Sequence, residues 1–317
     1  MWGAAVARSL DLKPWLSAWV ALALGLACAA AWPAPLTVCM AADNAPLSHQ
    51  VSGQPRGLDL RIAQAAASGL GRELAVVLFE TEYEKESALV HEVGALLASG
   101  VCDAASGFPL LTGDLGPPSR ASARTPDYPG AKRKRERPFI TLQPLAASRA
   151  YQAVALGVVQ RSGAPPLERL CDLGERKLGT VSGTLASAVA LTWRNGRLQP
   201  NVVSLNQRED ALAELARPTD RRFDAVLLPL ALFDGWMLTH PGQPLEAAAY
   251  RRPIGVNLGF VTLASATEVR NALDLAITQA RQDGRLAAWA AAEGVSWAAP
   301  VAPEIGPGPT LADLAAD

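Results

Sequence analysis

Four cysteines and three histidines in 317 residues leave little material for metal or thiol chemistry. No CxxC pair and no Cys/His ligand spacing exists, and His49, His91 and His240 lie far apart in unlike contexts. HExxH, GxSxG, a Walker loop and the dinucleotide glycine fingerprint are all missing, which removes the familiar signatures of hydrolases and nucleotide-dependent enzymes. A formal net charge of −1 gives no global pull toward nucleic acid, and there is no internal repeat. Half of the residues are hydrophobic, enough for one large or two medium cores. The 24 prolines and 26 glycines fit a loop-rich α/β chain and stay below the level of disorder.

The one long apolar run is at the start. Arg8 and Lys13 precede a run from about Trp15 to Ala31, and Ala29-Ala30-Ala31 offers a small-residue cleavage site. Residues 1–31 therefore read as a signal peptide, with an uncleaved membrane anchor as the alternative. Cleavage is favoured because the small residues pass into Trp32-Pro33-Ala34-Pro35 and then a strand, leaving a protein that is not an integral membrane protein. A lipoprotein reading of Cys28 is disfavoured because Gly25 stands where a lipobox has leucine.

The stretch Leu36–Gly71 sets the architecture. Leu36–Met40 is strand-like, a polar loop carries Asn44, Pro46, Ser48, His49 and Ser52, and Gly57 closes it. Leu58, Ile62, Ala65 and Ala66 then recur at helical spacing up to Gly69 and Gly71. Glu73–Glu80 reads as a second strand, Glu84–Ser99 as a helix stopped by Gly100, and Cys102–Gly107 as a third strand. This βαβαβ order implies a parallel sheet with ligands beyond the carboxyl ends of its strands. In a sheet of order 2-1-3 the strands bearing Cys39 and Cys102 are neighbours, so the two cysteines are either a disulfide, the preferred reading, or two buried thiols. Cys171 is then left over as a buried apolar residue.

Residues 111–147 break the pattern and read as a surface insertion. Between Arg120 and Arg137 seven Lys/Arg face two Asp/Glu, concentrated in Lys132–Arg137. A solvated surface is the preferred reading of that patch, and docking to an acidic partner or membrane surface the alternative. Regularity returns at Ser148-Arg149-Ala150-Tyr151 and a strand Ala153–Val159. Leu178–Thr184 ends a strand at a turn containing Gly183, whose following helix exposes N–H groups suited to an anion; a plain turn capped by Ser182 or Thr184 is the other reading. Strands at Val202–Leu205, Phe223–Leu228 and Ile254–Leu263 follow, with helices through Leu212 and from Val269 to about Gln282. Asp283-Gly284-Arg285, an alanine-rich helix ending at Gly294 and a mobile proline-rich tail (298–317) complete the chain.

Gly57-Leu58-Asp59-Leu60-Arg61, the Ser148–Tyr151 segment, the Gly183 turn, Asp224-Ala225-Val226 and the Asp283-Gly284 helix pair occur in an order and spacing that resembles family 3 periplasmic solute-binding proteins. The resemblance spans Leu36–Trp297. It implies a type II periplasmic-binding-protein fold, α/β and two-lobed, each lobe a mostly parallel sheet flanked by helices. Lobe 1 would be residues 36–151 plus 250–297 and lobe 2 residues 152–249, joined by crossing segments near Tyr151 and Tyr250. It further implies a binding protein rather than an enzyme, without a cofactor, exported to the periplasm. A small-molecule ligand would meet Asn44, Ser48, Ser106, Phe108, Ser148, Tyr151, Ser182 and Thr184.

The family's amino-acid binders hold the ligand carboxylate with an arginine after the third strand and the amino group with an aspartate closing the Asp-Ala-Val strand. Here the first position reads Thr112-Gly113-Asp114-Leu115 and the second ends at Pro229, so both charged anchors are replaced. That departure, Cys39 with Cys102, and Leu228-Pro229-Leu230-Ala231 are similar to the branch associated with methanol-type quinoprotein alcohol dehydrogenases. The implied partner is an ABC permease for a solute receptor, or a periplasmic quinoprotein dehydrogenase for an accessory protein that has lost the ligand.

Overall fold

The computed structural model describes residues 1–2, 33–81 and 88–315. The apolar run of the expected leader, its cleavage site and the first residues of the expected second helix lie outside them. In chain order the elements are β1 (Leu36–Ala41), β2 (Asp43–Asn44), β3 (Ser48–Val51), β4 (Gln54–Arg56), α1 (Leu58–Gly69), β5 (Leu74–Phe79), α2 (Leu89–Ala98) and β6 (Ala104–Pro109). The insertion holds β7 (Ser122–Ala123), β8 (Ile140–Thr141) and β9 (Leu145–Ala147). Then come β10 (Gln152–Arg161), β11 (Leu178–Val181), α3 (Leu185–Gly196), β12 (Val202–Leu205), α4 (Ala211–Ala216), β13 (Ala225–Pro229), α5 (Leu230–Thr239) and β14 (Leu245–Leu263). Three helices close the chain: α6 (Thr267–Gln282), α7 (Arg285–Ala292) and α8 (Leu311–Ala315).

Local sequence explains the main elements. In α1, Leu58, Ile62, Ala63, Ala66 and Ala67 form one buried stripe, and α6 buries Val269, Leu273, Ala276, Ile277 and Ala280 in the same way. Gly57 enters α1 with φ +117°, and a Cβ there would lie 2.2 Å from the Leu47 carbonyl oxygen, so only glycine fits this corner.

The strands run β12-β11-β13-β10-β14-β6-β1-β5, with β9 also on β14. β1 lies parallel to β5 and β6, and β11 lies parallel to β12 and β13. The two parallel blocks implied by the family resemblance are therefore present. They are joined rather than separate, because the crossing strands β10 and β14 pair antiparallel with each other and carry one block on each outer side. Apolar packing still divides. Two core clusters, around Ile62 and Phe260 and around Val93 and Phe108, flank the β5-β1-β6 block. Two others, around Val189 and Leu227 and around Leu215 and Phe223, flank the β12-β11-β13 block.

Three expectations change. The return strand begins at Leu245, and Asn257–Leu258, which face both β10 and the β6 side, lie well beyond Tyr250. Cys171 is exposed, not buried, because it sits on a short 3-10 turn whose apolar faces are Leu170 and Leu173. The tail is tied down, not mobile: the buried Asn257 amide donates to the carbonyls of Val301 and Glu304 at 2.8 and 3.0 Å and accepts from the Val301 N–H. Glu304 takes Arg149 and Arg281, and Thr112 N–H donates to the Gly306 carbonyl.

Cys39 and Cys102 form a disulfide, with Cα atoms 5.7 Å apart and a sequence separation of 63. It pins β1 to the loop before β6, where Asp103 also accepts from Thr37 N–H and Arg72. Closing a loop of this length is worth roughly 2–4 kcal/mol. Urea unfolding with and without reductant should show a loss of that size, absent in Cys39→Ser/Cys102→Ser; an unchanged midpoint on reduction would remove the disulfide from the account of stability.

Candidate functional site

The carboxyl ends of β1 and β6 and the first turn of α1 converge on Asp59. Its side chain is fully buried, although its backbone N–H is satisfied by the Leu47 carbonyl at 3.0 Å. Ser106 and Tyr151 face it, and both are buried. Gly107 turns at φ +67°, and a Cβ on it would lie 3.0 Å from Asn44 Nδ2 and 3.3 Å from Asp59 Oδ2. The turn therefore brings backbone, amide and carboxyl together where a side chain would separate them. Both Asp59 oxygens, Ser106 Oγ and the Tyr151 hydroxyl are buried, yet none meets hydrogen-bond geometry in this structure.

Burial dominates the electrostatics here. Desolvation raises Asp59 from its ordinary 3.8 to about 6, against the opposing pull of Tyr151 and Ser106. Tyr151 is pushed well above its ordinary value by burial and then by the Asp59 charge. The Tyr151 ring is fixed by Phe260 at 5.7 Å between centroids, and its carbonyl accepts from Trp297 Nε1 at 2.9 Å. The cluster gathers a carboxyl, a phenol and a hydroxyl in the interior with their polar atoms unpartnered.

Asn44, Ser106 and Tyr151 of the expected ligand set are gathered at this point. Ser48 donates to the Ala41 carbonyl, and Ser148 donates to the Arg149 carbonyl while accepting from Phe260 N–H; these are framework bonds. Phe108 is packed in the core beside the disulfide. Ser182 and Thr184 sit in another neighbourhood. Thr184 caps α3 by accepting from Ser187 N–H at 3.2 Å, the plainer of the two readings of that turn. Ser182 borders an open depression with Asn206, Gln207 and Glu209. Asp103 and Asp224 accept backbone N–H groups from Thr37 and Lys177.

Asp59 was not in the ligand set expected from the sequence. Its signal was its place inside the buried stripe of α1, beside Leu58 and before Ile62. Three arginines of this region have partners of their own. Arg149 pairs with Glu304, Arg124 donates to the Arg137 carbonyl and stacks on Phe139, and Arg120 lies by His91. Pro229 ends β13 and leads into α5.

No family model and no curated protein matches the sequence. Solved structures do match in fold. The second substrate-binding domain of Lactococcus lactis GlnP, in open conformation, is 14% identical with TM-score 0.58, covering 83% of this chain and 96% of that one. The L-cystine solute receptor of Neisseria gonorrhoeae, unliganded and open, is 17% identical with TM-score 0.54 over 81% and 91%. An ancestral cyclohexadienyl dehydratase is 16% identical with TM-score 0.53 over 82% and 92%. The type II binding-protein fold is thus shared with two receptors and one enzyme, and function must be argued from the site.

The raised Asp59 pKa has a defined consequence for stability. The native state holds this proton more tightly than the unfolded chain, so the contribution is fully present below about pH 4 and lost as pH rises to about 6. Its size is on the order of 3 kcal/mol. Asp59→Asn cannot ionise. Urea midpoints for the two proteins should therefore diverge across that window, with the variant relatively more stable at about pH 7; parallel curves would show that Asp59 titrates normally.

Proposed function

We propose that this chain is an exported solute-binding protein that takes a small polar ligand between its two separately cored halves, as the receptor of an ABC importer, and that free α-amino acids are not its ligand. The observation that carries the reading is the central β10–β14 pair, which connects two parallel blocks with their own cores in the fold of the cystine receptor and the GlnP domain. The polar groups at the carboxyl ends of β1 and β6, namely Asn44, Asp59, Ser106 and Tyr151, supply one side of the site. Ser182 and Thr184, on the other block, supply the facing side when the halves close. The Cys39–Cys102 disulfide favours an oxidising compartment, in line with the leader.

Excluding amino acids rests on Thr112–Leu115 and Pro229. Two charge-assisted anchors are missing, each worth roughly 1.5–3 kcal/mol. Losing both weakens binding by about 3–6 kcal/mol, on the order of a hundred- to ten-thousand-fold. A second reading, an accessory of a periplasmic quinoprotein dehydrogenase, draws on Pro229 and the disulfide as sequence features. The three matched structures described above lend it no support.

Calorimetry across the common amino acids should give no dissociation constant at or below the micromolar range, and one such constant would overturn the exclusion. Native mass spectrometry of the protein from its own periplasm should show a retained small mass; a retained dehydrogenase subunit instead would favour the accessory reading.

A further inference from the structure

The short β7–β8 pair carries the loop 124–139 at its tip. Six of the loop's residues are Lys or Arg and two are Asp or Glu, a formal surplus of four positive charges in a chain whose overall charge is −1. The structure divides these cations by what they do. Arg124 and Arg137 fasten the loop to itself: Arg124 Nε donates to the Arg137 carbonyl at 3.0 Å, and the buried Arg137 guanidinium donates to the Thr125 carbonyl at 2.6 Å. Lys132, Arg133 and Arg135 are exposed, and no acid among the described residues forms an ion pair with them. Asp127 accepts from Tyr128 N–H at 3.1 Å, and Glu136 is an exposed residue of the same run that partners none of the three.

The backbone fixes where these charges sit. Glu80 N–H, just past β5, donates to the Asp127 carbonyl at 2.9 Å, and a 3-10 turn shapes Lys134–Glu136. Phe139, where the loop re-enters β8, is 63% exposed although it is a large apolar ring. The Arg124 guanidinium lies 4.2 Å from the centre of that ring, so the phenyl group stands beside a cation rather than in a core. From Lys132 to Phe139 the chain spans at most about 25 Å, and the turn shortens it. Three solvated cations and one exposed aromatic ring are thereby gathered on a single anchored loop.

We propose that this loop is a docking surface for a bilayer containing anionic phospholipids. The unpaired ammonium and guanidinium groups match lipid phosphates, and each basic residue near such a surface strengthens binding about fivefold. The Phe139 ring suits the boundary between headgroups and acyl chains, where apolar area is buried without a shaped pocket. An acidic protein surface fits less well. Protein–protein interfaces are depleted in lysine, and no hydrogen bond holds these three side chains in the set geometry that a partner's carboxylates would need. The inference goes beyond the solute-binding reading and uses none of its site residues, so either stands without the other.

The test is cosedimentation of the mature full-length protein with vesicles, phosphatidylglycerol mixed with phosphatidylethanolamine against phosphatidylcholine alone. The protein should pellet with the anionic vesicles and stay in solution with the zwitterionic ones. Raising the ionic strength from about 0.01 to about 0.15 M shortens the screening length from about 30 to about 8 Å and should weaken the binding. Lys132→Gln/Arg133→Gln/Arg135→Gln should lose affinity on the order of a hundred-fold. Lys177→Gln/Arg197→Gln/Arg208→Gln removes the same charge from exposed positions outside the loop and should bind like the unaltered protein. Phe139→Ala should bind severalfold more weakly with its salt dependence unchanged, and circular dichroism confirms that each variant is folded. No pelleting with anionic vesicles, equal losses in the two triple variants, unchanged binding by Phe139→Ala, or capture by polyglutamate without vesicle binding would each overturn the docking surface.

Discussion

The antiparallel pairing of β10 with β14 is the interaction on which the rest of the molecule depends. On one side β13 lies on β10, and through it β11 and β12; on the other, β6 lies on β14, and through it β1 and β5. The register slips between Ala153 and Ala155 and again between Gly157 and Val159, irregularities of the kind that bend a strand and raise its local twist. Gly157 lets α5 settle on this ladder, because a Cβ there would stand 2.3 Å from Leu230 Cδ2. A two-strand bridge between separately packed cores resists shear along its hydrogen bonds while allowing twist across them. The ladder thus joins the packed cores on its two sides without merging them.

Much of this frame was legible because it follows periodic rules. Strands of continuous apolar residues such as Leu74–Phe79 and Ala225–Leu228, and helices with stripes such as Val269–Ala280, appear within a few residues of their expected bounds. The disulfide followed from neighbouring strands in the expected order. The first part of β14 was hidden because Arg251-Arg252-Pro253 interrupts it, and a strand with an exposed face can carry such residues where its partner supplies the register. The ordered tail was hidden for another reason. Proline-rich composition predicts mobility, whereas the bonds that hold it come from Asn257, 44 to 47 residues away, and leave no local pattern.

The site was harder to read than the fold. A helix-start aspartate ordinarily sits at the surface, where its charge meets the positive end of the helix. At position 59 the same residue points into the core, so its cost is desolvation, and this emerges only once Ser106, Tyr151 and the Gly107 turn are brought round it. Ser182 and Thr184 show the converse. Their motif was legible, but Thr184 is already occupied in capping α3, and a turn of this type serves as a cap whether or not an anion visits it.

Charge distribution ties these observations together. Asp59 is buried beside Ser106 and Tyr151, and desolvation holds its proton up to about pH 6. The arginines near the crossing strands have other partners. Arg149 and Arg281 meet Glu304, and Arg252 caps the last helix, so these guanidinium groups fasten the C-terminal segment across the outer side of the β10–β14 ladder. Fastening it also docks Gly306 against Thr112, whose N–H donates to the Gly306 carbonyl. The arginines beside the crossing strands and the C-terminal segment therefore satisfy one another, and the buried Asp59 cluster is held by desolvation and its neutral neighbours instead.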